Sequence, residues 1–227
     1  MNPRVFFGSY KKATVLVAFF FGLAILCSTA LAETWRVRVD TVLDGDTLIA
    51  VGGERIRLRG IDAPEIRHGS EAGQYYGQAA RKLLWDQVRG QELLLDRDEL
   101  DMDRYGRKVA VVRLSDGRML NAVLVEAGAA FVYPHHSDKD EKFTELLLSK
   151  QRQAMSQQLG FWAKILTLSK AQDRYIGTKG SRRFHTLACA NAASVRPANQ
   201  VAFSSLAEAF RAGFAPAREC TVWPHGE

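Results

Sequence analysis

Three short runs carry residues able to act together on a phosphate. They are Asp44-Gly45-Asp46-Thr47, Arg57-Leu58-Arg59-Gly60-Ile61-Asp62-Ala63-Pro64-Glu65 and Asp103-Arg104-Tyr105-Gly106-Arg107. Asp46 and Asp62 each fall at the end of a predicted strand, beside a turn, so their carboxylates can converge. Hard divalent cations take oxygen ligands and leave positions for water or a phosphate oxygen. Arg57 and Arg107 offer planar donor forks that match phosphate oxygens and keep their charge. Two such forks would neutralise charge developing in a pentacovalent transition state. Glu65, three residues after Asp62, can orient or deprotonate a water beside a cation. Tyr105, Phe131 and Tyr133 offer rings for base stacking, which tolerates any sequence.

Each run alone has a plainer reading. Asp-Gly is a favoured turn that needs no metal. Glu65 by itself is a surface carboxylate after a proline turn. Arg55 and Arg59 share the face of Arg57 on the predicted strand and read as solvated charge. Phe131 reads as core, whereas Tyr105, inside its run, reads as part of the site. Asp101-Met102-Asp103-Arg104-Tyr105-Gly106 begins like a helix-loop-helix calcium loop. It fails that template, because Tyr105 takes the third acidic position and Val112 the bidentate glutamate position.

The elements that must position these residues follow from hydrophobic spacing. Trp35, Val37, Val39 and Thr41 alternate with Arg36, Arg38 and Asp40, the period of a half-buried strand. Leu48 to Val51 is a second strand, Gly52-Gly53 a hairpin turn, and Glu54 to Arg59 the return strand. Pro64 stops the sheet. Ala72, Tyr76, Ala79, Ala80, Leu83, Leu84 and Val88 predict an amphipathic helix over 70–88, ended by Gly90. Leu93 to Leu95 and Lys108 to Leu114 are two further strands. Leu120 to Ala127 is a second helix, and Phe131 to Tyr133 a short extended piece. Asp138 with Glu141 resembles a capping box opening a third helix to about Leu159. Five strands interleaved with three helices, the strands joined by short turns, predict a small antiparallel barrel rather than a doubly wound sheet. After Trp162 the character changes: Thr178-Lys179-Gly180-Ser181 is loop-like and Phe203 to Arg211 can form a short helix. The boundary falls between Ile165 and Tyr175.

Composition frames these readings. The chain is 47% hydrophobic and 25% charged, which excludes a disordered or low-complexity protein. Its net charge is +6. With Arg4, Lys11 and Lys12 set aside, 28 basic residues remain against 25 acidic ones, a balance that accommodates a polyanionic partner without demanding one. Those three residues precede an apolar run, Ala13 to Cys27, and the small-x-small sequence Ala30-Leu31-Ala32. This pattern predicts a signal peptide over 1–32, cleaved after Ala32, and a secreted or periplasmic mature chain. An uncleaved anchor is the alternative, since Ala13 to Ala32 could just span a bilayer. Leu26 before Cys27 fits a lipoprotein signal poorly. Cleavage leaves two cysteines, Cys189 and Cys220, which can pair in an oxidising compartment.

From Trp35 to Trp162 the chain resembles the thermonuclease (staphylococcal nuclease-like) family, on the three runs above, on Gly128-Ala129-Ala130-Phe131-Val132-Tyr133 and on the helix ending at Trp162. The resemblance implies a five-stranded OB-fold barrel with three helices over 33–165. It also implies a calcium-dependent endonuclease acting on DNA and RNA, which cuts the bond to the 5′ oxygen and leaves 3′-phosphate ends. The family's metal carboxylates fall on Asp46 and Asp62, with a backbone carbonyl ligand at Ala63. Its catalytic trio falls on Arg57, Glu65 and Arg107, and its substrate-contacting tyrosines on Tyr105 and Tyr133. Ala63 stands where a thermonuclease carries Thr, a change that a carbonyl ligand survives. Arg104 replaces a Lys and keeps the charge near the substrate. Phe131 replaces a Tyr and removes a hydroxyl. No protein partner is implied, and a monomer is expected. The rival reading is a non-catalytic OB-fold module that binds nucleic acid without cutting it.

The segment 170–227 resembles a small metal-binding module similar to the N-terminal zinc domain of the Ada DNA-repair protein. The likeness rests on Tyr175-Ile176-Gly177, Phe184-His185, Cys189, Phe203-Ser204-Ser205 and Gly213-Phe214-Ala215-Pro216. The module's usual Cys-x-x-Cys ending reads Ala217-Arg218-Glu219-Cys220 here, so one ligand is missing. His185, Cys189 and Cys220 remain, with His225 as a substitute, whereas a closed zinc site needs four ligands. Zinc, a Cys189–Cys220 disulfide and free thiols are the three alternatives.

Overall fold

The computed structural model describes residues 34–69, 72–96, 101–133, 140–218 and 223–226. The predicted signal peptide, Asp138 and Cys220 lie outside the described residues.

The alternating N-terminal pattern forms β1 (Thr34–Val42), which buries Val37 and Val42 and exposes Arg36, Arg38 and Asp40. It pairs antiparallel with β2 (Thr47–Ala50), and β2 with β3 (Arg55–Leu58). β4 (Ile61–Asp62) follows the third turn, and Pro64 ends the extended run. Helix α1 spans Gly77–Val88. Next come β5 (Glu92–Asp96), β6 (Asp101–Met102), β7 (Lys108–Ala110) and β8 (Val112–Arg113). Helix α2 (Leu120–Glu126), β9 (Phe131–Val132), α3 (Glu141–Ser156) and the single turn α4 (Trp162–Ile165) complete this half. Seven strands make one sheet in the order β6-β7-β3-β2-β1-β5-β8. β7 and β8 stand near opposite ends of that order, although only Val111 separates them in the chain. β4 and β9 form a separate antiparallel pair.

Two helix starts differ from the sequence reading. α1 opens at Gly77, not near residue 70, because the preceding residues bond elsewhere. Tyr75 N–H donates to the Pro224 carbonyl, Gln74 bridges His225, and Tyr76 takes a left-handed φ of 74°. α3 is capped by Asp140, whose carboxylate accepts from Phe143 N–H at 2.9 Å.

The segment after residue 170 carries more regular structure than the one loop and one short helix read from its sequence. β10 (Tyr175–Thr178), β11 (Arg183–Thr186), β12 (Gln200–Phe203) and β13 (Ala215–Pro216) form a second sheet in the order β12-β10-β11-β13. The turn at 179–182 closes the β10–β11 hairpin. A short helix α5 (Ala190–Ala193) precedes β12, and α6 (Leu206–Arg211), capped by Ser205, follows it.

Residues 33–227 form one compact unit with two apolar clusters. The first is aliphatic and joins the large sheet to α1, α2 and α3 through Leu48, Ile56, Leu84, Leu93, Leu124 and Leu147. The second is aromatic and crosses the expected boundary. It packs Phe131, Phe161 and Trp162 against Tyr175, Phe184, Phe210 and Trp223. Buried Gln151 on α3 links the halves with two hydrogen bonds. Its Oε1 accepts from Val132 N–H at 2.7 Å and its Nε2 donates to the Phe210 carbonyl at 2.6 Å. A buried amide bonded at both its oxygen and its nitrogen makes the junction specific.

Candidate active site

The acidic turn between β1 and β2 is built by local bonds. Asp44 Oδ1 accepts from Asp46 N–H at 3.0 Å, which closes the turn and aims Asp46 inward. Gly45 is required by close approach: a Cβ there would stand 2.6 Å from the Ala63 Cβ and 2.8 Å from that of Ala80. This contact lets the turn lie against the chain segment that carries Asp62. Asp46 Oδ2 then accepts from Ala63 N–H at 2.8 Å, and Oδ1 from the Thr47 hydroxyl at 2.9 Å.

Arg57 projects from the middle of β3 between the two acids. Its Nη1 stands 2.7 Å from Asp46 Oδ1 and its Nη2 donates to Asp62 Oδ1 at 2.9 Å. Both aspartates are only 5% exposed. Arg57 Nη1 makes a close ion contact but lies outside hydrogen-bonding angles, so this buried N–H has no hydrogen-bond partner. Burial pushes the Asp46 carboxyl well above the usual carboxylate range. Arg57 opposes that rise, while Asp44 and Asp62 add to it. The Arg57 charge is disfavoured by burial, but Asp46 and Asp62 hold it in place and raise its pKa.

Glu65 is fixed through its backbone. Its N–H donates to Gln74 Oε1 at 2.9 Å, and its carbonyl accepts from Gln74 N–H at 2.8 Å. Gly77 admits this carbonyl, since a Cβ there would lie 2.5 Å from it. Burial raises the Glu65 pKa, Asp62 adds to the rise, and Arg218 opposes it. The chain order of the second run therefore places Asp62, Ala63 and Glu65 around Arg57.

The third run forms its own cluster. Asp103 accepts from the backbone N–H groups of Tyr105 and Arg107, and Arg107 Nε stands 2.7 Å from Asp103 Oδ2. Burial works against the Asp103 charge, but these bonds prevail and lower its pKa. Exposed Tyr105 lies between two guanidiniums, Arg104 at 4.8 Å and Arg107 at 5.4 Å from its ring centre. The parallel pairing of β3 with β7 sets Arg57 beside Val109, two residues from Arg107. Arg107 thus flanks the strand of Arg57, with Asp103 as its ion-pair partner. Arg59, expected as solvated charge, lies over the Phe143 ring at 5.3 Å, because α3 packs against that end of β3. Arg55 is exposed, and Phe131 is buried in the aromatic cluster.

Two arginines that the sequence did not single out reach the same acids. Arg183 on β11 donates from Nη2 to Asp62 Oδ2 at 3.1 Å and from Nη1 to the Pro216 carbonyl at 2.9 Å. Its guanidinium also lies 3.6 Å over the Tyr133 ring. Arg218 Nη2 stands 3.2 Å from Glu65 Oε1. Each lies more than 100 residues from its partner, and no local motif marks either one.

The donor chemistry fits a hard cation: Asp46 and Asp62 present carboxylate oxygens that converge on one point, where Arg57 now pairs with both. Among the described residues no group of three His, Cys, Asp or Glu side chains is arranged to hold a metal. Cys189 is disulfide-bonded and 3.6 Å from His185 Nδ1. Of the three alternatives for this segment, the structure carries the disulfide form of Cys189.

Comparison with known proteins agrees with this geometry. Residues 55–164 match the family model described as staphylococcal nuclease homologue. The chain is 34% identical over 131 residues to a thermonuclease of Staphylococcus intermedius, covering 56% of this chain and 75% of that protein. It is 33% identical over 156 residues to an uncharacterized endonuclease of Escherichia coli O157:H7, covering 67% and 90%. A thermonuclease of Staphylococcus hyicus is 30% identical over 142 residues, covering 60% and 79%. With matched sequence running through Arg57, Asp62, Glu65 and Arg107, this chain belongs to the family of staphylococcal nuclease homologues.

Proposed function

We propose that this chain is a calcium-dependent endonuclease that hydrolyses phosphodiester bonds of DNA and RNA and leaves 3′-phosphate ends. The observation that carries the reading is the Arg57 guanidinium held between two buried, converging aspartates. Asp46, Asp62 and the Ala63 carbonyl are the residues that would hold the cation. When bound, such an ion neutralises a phosphate oxygen and polarises water. Glu65 accepts a proton from the attacking water, whose oxygen forms the new bond to phosphorus. Arg57 and Arg107 stabilise the charge on the equatorial oxygens. The bond from phosphorus to O5′ breaks, and that oxygen leaves with a proton from solvent. Tyr105, Tyr133 and Arg104 contact the substrate. The raised pKa of Glu65 makes its carboxylate a stronger proton acceptor than an ordinary glutamate.

We also read β1, β2, β3, β5 and the β7–β8 run as a five-stranded OB-fold barrel. The support is the sheet order, in which β7 pairs β3 while β8 pairs β5 across one intervening residue. The organisation is then a signal peptide over 1–32, a nuclease domain over 33–165 and an Ada-like module over 170–227, held by a disulfide rather than by zinc. The mature monomer acts outside the cytoplasm.

Digestion of single- and double-stranded DNA and of RNA by the mature protein, with calcium or with a chelator, tests this reading. Cleavage in calcium, its loss in chelator and 3′-phosphate ends are the expected results. Cleavage that survives the chelator contradicts it. Binding without any turnover supports the non-catalytic module instead.

A further inference from the structure

The C-terminal segment closes a loop of contacts on the acidic site. Asp62 holds Arg183, and Arg183 holds the Pro216 carbonyl at the end of β13. Two residues beyond Pro216, Arg218 meets Glu65, three residues after Asp62. β13 is fixed from the other side as well: it runs parallel to β11, and Ala217 N–H donates to the Phe184 carbonyl at 2.9 Å. Arg183 is itself almost fully committed. Its side chain is 16% exposed, stacked on Tyr133 and bonded at both Nη atoms.

Arg218 differs. Its side chain is 67% exposed, and among the described residues its one ion pair is with Glu65. Burial would weaken its charge, but Asp62 and Glu65, then Asp46, hold it. An exposed monodentate ion pair contributes little to stability, about 0–1 kcal/mol. A guanidinium held at a site by acids, with unused N–H groups facing solvent, is instead suited to a second anion. The entering anion would be a phosphate, because the acids it adjoins are those of the cleavage site.

We propose that Arg218 is a substrate-binding residue that takes a backbone phosphate next to the scissile one, and that Arg183 is the positioning residue that places it there. The C-terminal segment thereby supplies one wall of the nucleic-acid cleft. This rests on the nuclease reading for the identity of the polyanion.

The test is binding, in calcium, of a single-stranded oligonucleotide in which CH2 replaces each bridging 5′ oxygen. The P–O5′ bond cannot be cut in this probe. For the mature parent, log affinity falls linearly with log salt, because bound phosphates release counterions. Arg218→Gln should weaken binding about three- to tenfold and reduce the slope by about 0.7, the value for one single-strand phosphate. Arg218→Lys should retain the slope. Arg183→Lys, which keeps the charge but loses the fork, should reproduce the Arg218→Gln slope, and the double variant should be no worse than either single one.

Unchanged affinity and slope in Arg218→Gln, or no binding by the parent, overturn the proposal. Additive losses in the double variant remove Arg183 from its positioning role. If Arg183→Lys does not fold, the exposed Arg218 still decides the matter. A parent that binds the probe but leaves an ordinary oligonucleotide intact defeats the nuclease reading and not the phosphate contact. A parent that cuts normally while Arg218→Gln binds unchanged does the reverse.

Discussion

The two halves of the molecule solve the problem of burial differently. The half before residue 165 packs aliphatic side chains under one large sheet and holds charged groups at the ends of its strands and in the adjoining β4, Asp46 and Asp62 at 5% exposure among them. The segment after residue 170 has short strands and depends on ring packing. Phe210 and Trp223 meet Phe131, Phe161 and Trp162 with centroids 4.9 to 5.7 Å apart. Its second core thus consists partly of rings from the first half. The smaller segment gains stability by sharing that core, and the larger half gains two arginines on its acids. Folding and function are joined at the same seam.

The largest expected effect strikes the shared core. Phe210→Ala should cost about 3–5 kcal/mol, as for other buried aromatic truncations. One cooperative thermal transition at lower Tm supports the shared core. Two separate transitions would break the comparison, because the segment would then melt alone. Gln151→Leu sharpens the same point. It leaves the Val132 N–H and the Phe210 carbonyl without their partner, which costs about 1–3 kcal/mol for each buried group left unsatisfied. Denaturant unfolding followed by tryptophan fluorescence measures the loss, and a change below half a unit of denaturant midpoint would leave the link without energetic weight.

A pH prediction separates the chemistry from the packing. Burial raises the Glu65 pKa above its ordinary 4.5. A base works only when ionised, so activity should be lost as pH falls through that raised value. The acid limb of kcat/KM should therefore have its midpoint above 4.5. Arg218 opposes the rise, and Arg218→Gln should move the limb to still higher pH. A limb that stays in place would mean that the two charges do not interact. The smallest effect lies far from the seam. Arg36 pairs with Glu92 on the exposed face of β1, and Arg36→Ala should change stability by under about 0.5 kcal/mol.

The same contrast governs what could be read in the sequence. The clustering of Asp46, Arg57, Asp62 and Glu65 was legible because these residues sit on runs whose turns bring them together locally. β1 to β3 and the Gly52-Gly53 hairpin were legible from period-two alternation. The C-terminal sheet was not, because strands of two to four residues carry too few positions for a period. The start of α1 was set by the pairing of Gln74 with His225, a contact that no local pattern encodes. Arg183 and Asp62 are 121 residues apart, so their pairing follows from how the two cores merge. The acids of the first half announce themselves, and the cations of the second do not.

The central claim is that Arg57 acts on a phosphate and is not merely the counterion of two buried acids. Arg57→Lys tests it most directly, since it keeps a charge near Asp46 and Asp62 and removes the planar fork. The measurement is the single-turnover rate of DNA cleavage in saturating calcium, with folding checked by thermal melting. The rate should fall by about 10²–10³-fold while the protein stays folded, the loss typical of a preorganised donor to a transition-state oxyanion. A folded Arg57→Lys protein that cleaves within twofold of the parent would contradict the account.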